Sequence, residues 1–215
     1  MFGNEGDLVK RATDRRVQRT RQLLQDALIA MMIEKGYEAT TIQDIIDRAN
    51  VGRATFYAHF ADKETLLASR IEDLRAMLTR QQQQALATRG GVRERGLGFS
   101  LAMLEHARSH LPLYAMIVGQ PSGAFVVQRI HRTIADLVAL DLKGLGVKGT
   151  PEHRALATEY VAGAFMAVLT WWLDHGARLP PQEVDVIVRR LVMQGLAAGE
   201  LRPDEEKAPS KPHDR

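Results

Sequence analysis

Apolar residues recur every three or four positions along almost the whole chain, the period of a helix with one buried face. In "LLQDALIAMMIEKG", Leu24, Ala27, Leu28, Met31 and Met32 share such a face, and Gly36 supplies the stop. "TTIQDIIDRA" opens with Thr40 or Thr41 as N-cap and lines up Ile42, Ile45, Ile46 and Ala49 over about two turns. Asn50, Val51 and Gly52 then break the pattern: Asn and Gly tolerate turn or left-handed backbone, and Val51 can plug inward between two helices. The next helix runs from about Arg53 to His59. It turns Phe56 and Phe60 inward, leaves Ala54, Thr55 and Ala58 outside, and flanks them with Tyr57 and His59.

Beyond it, Asp62 caps a longer helix that begins "KETLLASRIEDLRAMLTRQQQQ". After "ATRGG" the stretch "VRERGLGFSLAMLEHARSH" predicts a helix closed by Leu111 and Pro112, and "LYAMIVG" a short one ending before Pro121. Two long helices follow, at about 122–143 and 151–176, separated by "KGLGVKGTP"; a last one starts at the Pro180–Pro181 pair and runs from about Gln182 to Ala198. No run alternates with the period of a strand, so the expected fold class is all-α. The Pro- and charge-rich tail, residues 201–215, is expected to be disordered.

At 215 residues and 45% hydrophobic, the chain is long enough to bury a real core. It has no cysteine, which excludes disulfides, thiolate nucleophiles and Cys-ligated metal sites. The start "MFGNEGDLVKRATDRR" is too polar for a secretory signal, and no later stretch reaches about 18 uninterrupted apolar residues. A soluble, cytoplasmic protein without a membrane partner is expected. Net charge is only +3, yet Lys10, Arg11, Arg15, Arg16, Arg19 and Arg21 stand within twelve residues against the single acid Asp14.

Two short helices about a tight turn, the first held by isoleucines and the second showing small and polar groups, form a helix-turn-helix pattern. Ala54 and Ala58 are small enough for close approach to bases, and their methyls suit a thymine methyl. Thr55, Tyr57 and His59 offer hydrogen bonds to phosphates or base edges, and Arg53 is placed for a bidentate guanine contact. The basic run upstream can follow the phosphate backbone or reach into a minor groove. Against catalysis, the chain lacks a GxSxG motif, a Gly-rich phosphate loop and a paired-carboxylate motif. His106 and His110 share a helix face at i, i+4 but lack the glutamate of an HExxH site, so neither a metal nor a cofactor is expected.

"TTIQDIIDRANVGRATFYAHFADKETLL", residues 40–67, resembles the DNA-binding domain of the TetR family of bacterial transcriptional regulators. The likeness runs from about Val17 through the Gly36–Tyr37 turn, Thr41, the Phe56–Tyr57 pair and Phe60 to Lys63 and Leu66–Leu67. Asn50 stands where glycine is commonest, Gly52 where a serine or threonine usually caps, and Ile46 at a position that is normally alanine. The resemblance implies about nine helices: a flexible basic arm at 1–14, a DNA-binding domain at 15–61, and a regulatory and dimerisation domain at 62–200. Thr41 and Gln43 would then contact DNA from the first motif helix, Arg53, Ala54, Thr55, Tyr57 and His59 from the second, and Lys63 would reach a phosphate.

The tryptophan pair in "EYVAGAFMAVLTWWLDHG" is similar to the penultimate helix of a TetR subgroup. There Val161, Phe165, Val168, Leu169 and Trp172 form a stripe that, with Val184, Ile187, Val188, Leu191 and Val192 of the last helix, is expected to build a homodimer interface. The implied partners are double-stranded DNA with a palindromic operator, a second copy, and a small-molecule effector. Candidates for its pocket are Phe99, Met103, His106, Tyr114, Phe125, Phe165 and Trp171, which combine apolar volume with a few polar tips.

Overall fold

A computed structural model describes residues 5–89, 95–118 and 123–196. Among these residues there are nine helices and no strand: α1 (Glu5–Lys35), α2 (Ile42–Ala49), α3 (Arg53–His59), α4 (Lys63–Ala87), α5 (Ser100–Ser109), α6 (Leu111–Val118), α7 (Ala124–Gly144), α8 (Pro151–Asp174) and α9 (Pro181–Leu196). The all-α expectation holds. The tail at 201–215 lies outside the described residues.

Three boundaries differ from the sequence reading. α1 begins at Glu5, so residues 5–14 continue the helix instead of forming a loose arm. After Gly6 nothing there stops a helix, since the segment holds neither Gly nor Pro. α5 starts only at Ser100, because Leu97 takes a left-handed backbone (φ 52) and turns the chain first. α8 ends at Asp174, where Gly176 (φ 72) and Ala177 (φ 49) curl left-handed and their amides return to the carbonyls of Leu173 (2.9 Å) and Trp172 (2.8 Å).

Packing divides the chain into two compact units, Met1–Met77 with Ala107–Ile130 and Leu78–His106 with His131–Arg215. In the first, α1, α2 and α3 close on Leu24, Leu28, Met32, Ile45, Ile46, Phe56 and Phe60, none more than 4% exposed. Gln25, buried on α1, donates to the Ser69 hydroxyl (3.0 Å) and the Asp73 carboxylate (2.7 Å), which ties α4 to α1.

The second unit packs Phe99 edge-on against Phe165, with centroids 5.6 Å apart, and also buries Met103, Val161 and Trp172. The Trp172 indole N–H finds the Leu179 carbonyl at 3.0 Å. A buried polar cluster explains the turn before α5. The Asp141 carboxylate accepts from the Leu97 amide (2.6 Å) and from the Gln82 side-chain amide, whose oxygen accepts from the Phe99 amide at 3.2 Å. Alongside, the Ser100 hydroxyl donates to the buried Asp185. Gly98 sits so close to α4 that an added Cβ would lie 2.2 Å from that of Ala85.

Burial pushes the Asp141 carboxyl up from 3.8 to about 6, opposed by the hydrogen bonds from Leu97 and Gln82. Its folded value therefore exceeds its unfolded one, so its contribution to stability is greatest below pH 4 and is lost as pH rises through 6. In Asp141→Asn nothing titrates, and one buried amide loses its acceptor at a cost of about 1–3 kcal/mol. The destabilisation relative to the parent chain should be roughly 2 kcal/mol larger at pH 4 than at pH 7 in urea melts. Equal destabilisation at both pH values would show that Asp141 does not titrate in this range.

Candidate nucleic-acid interface

α2 is fixed at its start by a reciprocal cap. The Asp44 amide donates to the Thr41 hydroxyl (3.2 Å), while the Thr41 amide donates to the Asp44 carboxylate (2.7 Å). The Lys35 ammonium lies 2.6 Å from the same carboxylate, and its hydrogen bond, with those from Thr41, holds the Asp44 carboxyl well below the usual range. At the other end Asn50 adopts φ 50, and the Val51 amide returns to the Ile46 carbonyl at 3.0 Å, which ends the helix and turns the chain.

Gly52 then caps α3 with its carbonyl alone, accepting from Thr55 (3.0 Å) and Phe56 (3.2 Å). Its φ of −73 suits any residue, and an added Cβ would meet only the Thr55 hydroxyl, at an ordinary 3.9 Å. Gly52→Ser should therefore raise stability by a few tenths of a kcal/mol, seen as a small rise in Tm. A lower Tm would mean that this turn resists a side chain.

α3 stands on Phe56, which is fully buried and packs on the rings of Tyr57 (5.4 Å) and Phe60 (6.2 Å). With this anchor inward, Arg53, Ala54, Tyr57 and Ala58 are all exposed, and Thr55 and His59 are half-buried beside them. The Arg53 guanidinium lies 5.8 Å from the Tyr57 ring centroid. Both side chains thus rise from one surface. Thr41 and Gln43 are exposed on α2, but their polar groups already have partners: the Thr41 hydroxyl caps the helix, and the Gln43 amide donates to Asp47 at 2.8 Å.

Lys63 is placed differently from the sequence expectation. Its ammonium donates to the carbonyls of Tyr37 and Thr40, both at 2.9 Å, and lies 4.3 Å from the Tyr37 ring centroid. The Tyr37 carbonyl also accepts from the Thr40 amide at 3.2 Å, so Lys63 joins a hydrogen-bonded turn and closes it rather than reaching outward for a phosphate. Arg21 likewise leaves the basic run: its guanidinium sits 4.7 Å from the ring centroid of Phe60.

The expected effector-pocket residues do not share one environment. Phe99, Met103 and Phe165 are sealed core, His106 is half-buried, and Tyr114 is buried in the other unit. Phe125 is 46% exposed under the Arg129 guanidinium, and Trp171 is 52% exposed beside the His175 ring. In both cases the next residue, Val126 or Trp172, is the one that faces inward. A step of about 100° per residue separates the two neighbours. Among the described residues no group of three or more His, Asp or Glu is placed to hold a metal ion. His110 bonds the Ser109 hydroxyl at 2.9 Å.

The expected interface stripe also shifts. Val161, Phe165, Leu169 and Trp172 of α8, with Val184, Val188 and Val192 of α9, are at most 7% exposed and form the chain's own core. The apolar residues that face out are Leu156 and Tyr160 (72% each) with Trp171 on α8, and Val186, Ile187 and Leu191 on α9. Gly163 lies along the same side of α8 with nothing within 4 Å of an added Cβ. By length and composition α8 could cross a membrane, and 44% of its apolar stretch is buried within the chain. The spacing of Leu156, Tyr160, Ala167 and Trp171 was the available signal for this second stripe.

Residues 24–69 match the model of the family described as bacterial regulatory proteins, tetR family. The chain is 29% identical over 173 residues to an uncharacterized HTH-type transcriptional regulator, YxbF, of Bacillus subtilis; the match covers 79% of this chain and 43% of that protein. The chain thus spans less than half the length of that relative. It is 25% identical over 182 residues to the HTH-type transcriptional repressor KstR of Mycolicibacterium smegmatis, covering 80% of this chain and 86% of KstR. Among solved structures, a TetR transcriptional regulator from Streptococcus agalactiae superposes with a TM-score of 0.60 at 24% identity, over 85% of this chain and 98% of that one.

Proposed function

We propose that this chain, a DNA-binding transcriptional regulator of the TetR family and not an enzyme, acts as a homodimeric repressor that binds a palindromic operator and is released by a small molecule. Residues 15–61 are assigned to DNA and residues 62–200 to regulation and dimerisation. One observation carries the DNA assignment: with Phe56 buried, α3 turns Arg53, Ala54, Tyr57 and Ala58 outward together. That surface has small residues where bases come close and hydrogen-bonding groups beside them.

The outward apolar stripes of α8 and α9 support the dimer, since a second copy would cover both at once. Two such heads roughly 34 Å apart read successive major grooves of a pseudo-palindrome. A molecule that binds better to a copy with different head spacing lowers operator affinity by its preference between the two states. The repressor assignment follows the similarity to KstR, a repressor. Control by a protein partner, or constitutive binding, is the second reading. It is favoured by the direct packing of Phe99 on Phe165, which fills space that a small-molecule pocket would need.

Genome-wide selection of bound fragments with the purified chain tests the operator, and metabolite screening for its release tests the effector. Arg53→Ala should weaken binding by about 1–3 kcal/mol and relax preference at one base pair, with an unchanged melting temperature because Arg53 is exposed. Uniform weakening on every sequence would move Arg53 from a base to a phosphate.

A further inference from the structure

The loop from α7 to α8 closes back on the end of α7. The Val147 amide returns to the Leu142 carbonyl (3.0 Å) and the Gly146 amide to the Lys143 carbonyl (3.2 Å), with Gly146 left-handed at φ 69. Leu142 and Val147 are buried by this ending, and Lys143 and Lys148 are left exposed. At the start of α8, Arg154 is exposed as well, and its guanidinium donates to the Gly149 carbonyl, which holds it against the loop. These residues line a groove of about 660 Å³ within the second unit, a size that holds a metabolite. It shares no lining residue with the expected effector pocket.

We propose that this groove is a binding site for a small organic dianion, a phosphate monoester or a dicarboxylate. Charge decides the class. Lys143, Lys148 and Arg154 line the groove against one carboxylate, Glu159, so three positive charges less one negative leave two. The Glu159 carboxylate lies 3.9 Å from the His131 imidazole. Among the described residues neither Lys143 nor Lys148 is in an ion pair. Lys143 also suits the negative end of α7, but Arg154 stands in the first turn of α8, at the positive end of that helix, where a cation is disfavoured. The lining decides the rest. Leu142, Val147, Ala139 and Ala155 supply apolar surface without an aromatic face, which suits a short aliphatic body rather than a nucleobase. The Thr158 hydroxyl already donates to the Arg154 carbonyl (2.8 Å), so among the lining side chains the three cations are left to hold the ligand's oxygens.

Calorimetric titration of the full chain with hexyl phosphate, with suberate and with hexanol as the neutral control tests this without DNA. One dianion should bind per chain and hexanol should not, and the tighter of the two dianions identifies the head group. Inorganic phosphate should bind at least about tenfold more weakly than hexyl phosphate, because it leaves the apolar lining unused. Lys143→Gln together with Lys148→Gln should raise Kd about tenfold or more, whereas Glu159→Gln should lower it a few-fold. All three residues are exposed, so Tm should not move. The proposal is overturned if neither dianion binds saturably, if inorganic phosphate or hexanol binds as tightly, or if the double variant binds like the parent. A weaker dianion affinity in Glu159→Gln also overturns it. That the ligand is the effector rests on the repressor reading, and operator release by the bound dianion tests that part. Binding without release leaves the site in place and assigns the effector role elsewhere, so the site and the repressor reading fail separately.

Discussion

Phe56→Ala should remove operator binding through the loss of the folded head. Phe56 is fully buried and packs on the rings of Tyr57 and Phe60. Truncating a phenylalanine in such a position costs about 3–5 kcal/mol from transfer and cavity terms together. α3 has seven residues and caps itself only with the Gly52 carbonyl, so it has little stability of its own without that anchor. The expected result is a lower first unfolding transition in calorimetry, with operator affinity falling in parallel. Phe56→Leu, which keeps most of the volume, should recover much of both. Abolished binding with an unmoved transition would instead make Phe56 part of the contact surface, against its burial.

How far such a head was legible in the sequence depends on how local each determinant is. The ends of α2 and α3 fall as expected because the Thr41 cap, the left-handed Asn50 and the Gly52 turn act within four residues of their own positions. The Phe56 anchor was legible for the same reason. Lys63 was not: its ammonium answers carbonyls 23 and 26 residues earlier, and nothing in "ADKETLL" signals that need. The turn before α5 was also hidden, since the left-handed Leu97 is held by Asp141, 44 residues away. The family resemblance makes residues 1–14 a flexible arm, whereas α1 already runs from Glu5, because charge alone does not distinguish an exposed helix from loose chain.

The α8 tryptophans show a different limit. Periodicity identifies an apolar stripe but not whose core it serves, and α8 carries two. Trp172 belongs to the chain's own core and Trp171 to the surface, although the residues are adjacent. The sequence pattern joins the first stripe to a partner subunit and Trp171 to a pocket. What separates the stripes is packing against residues distant in sequence, such as the Leu179 carbonyl that takes the Trp172 indole.

That distinction makes the second large effect specific. Leu191→Asp, at a position 64% exposed on α9, should leave the isolated fold intact yet convert a dimer into monomers. A charge there meets water in a single chain, but in an isologous dimer it would be buried close to its own symmetry mate. Desolvating an unpaired carboxylate costs several kcal/mol, enough to raise the dissociation constant of the dimer by at least about a thousandfold. Sedimentation should show half the mass, and operator binding should fall steeply, because in the proposed complex each head alone would hold only half of the proposed palindrome. Val188→Asp, on the buried face of the same helix, should instead unfold the chain. If Leu191→Asp stays dimeric, the α8–α9 face is not the interface, and Leu156, Tyr160 and Trp171 must be exposed for another partner.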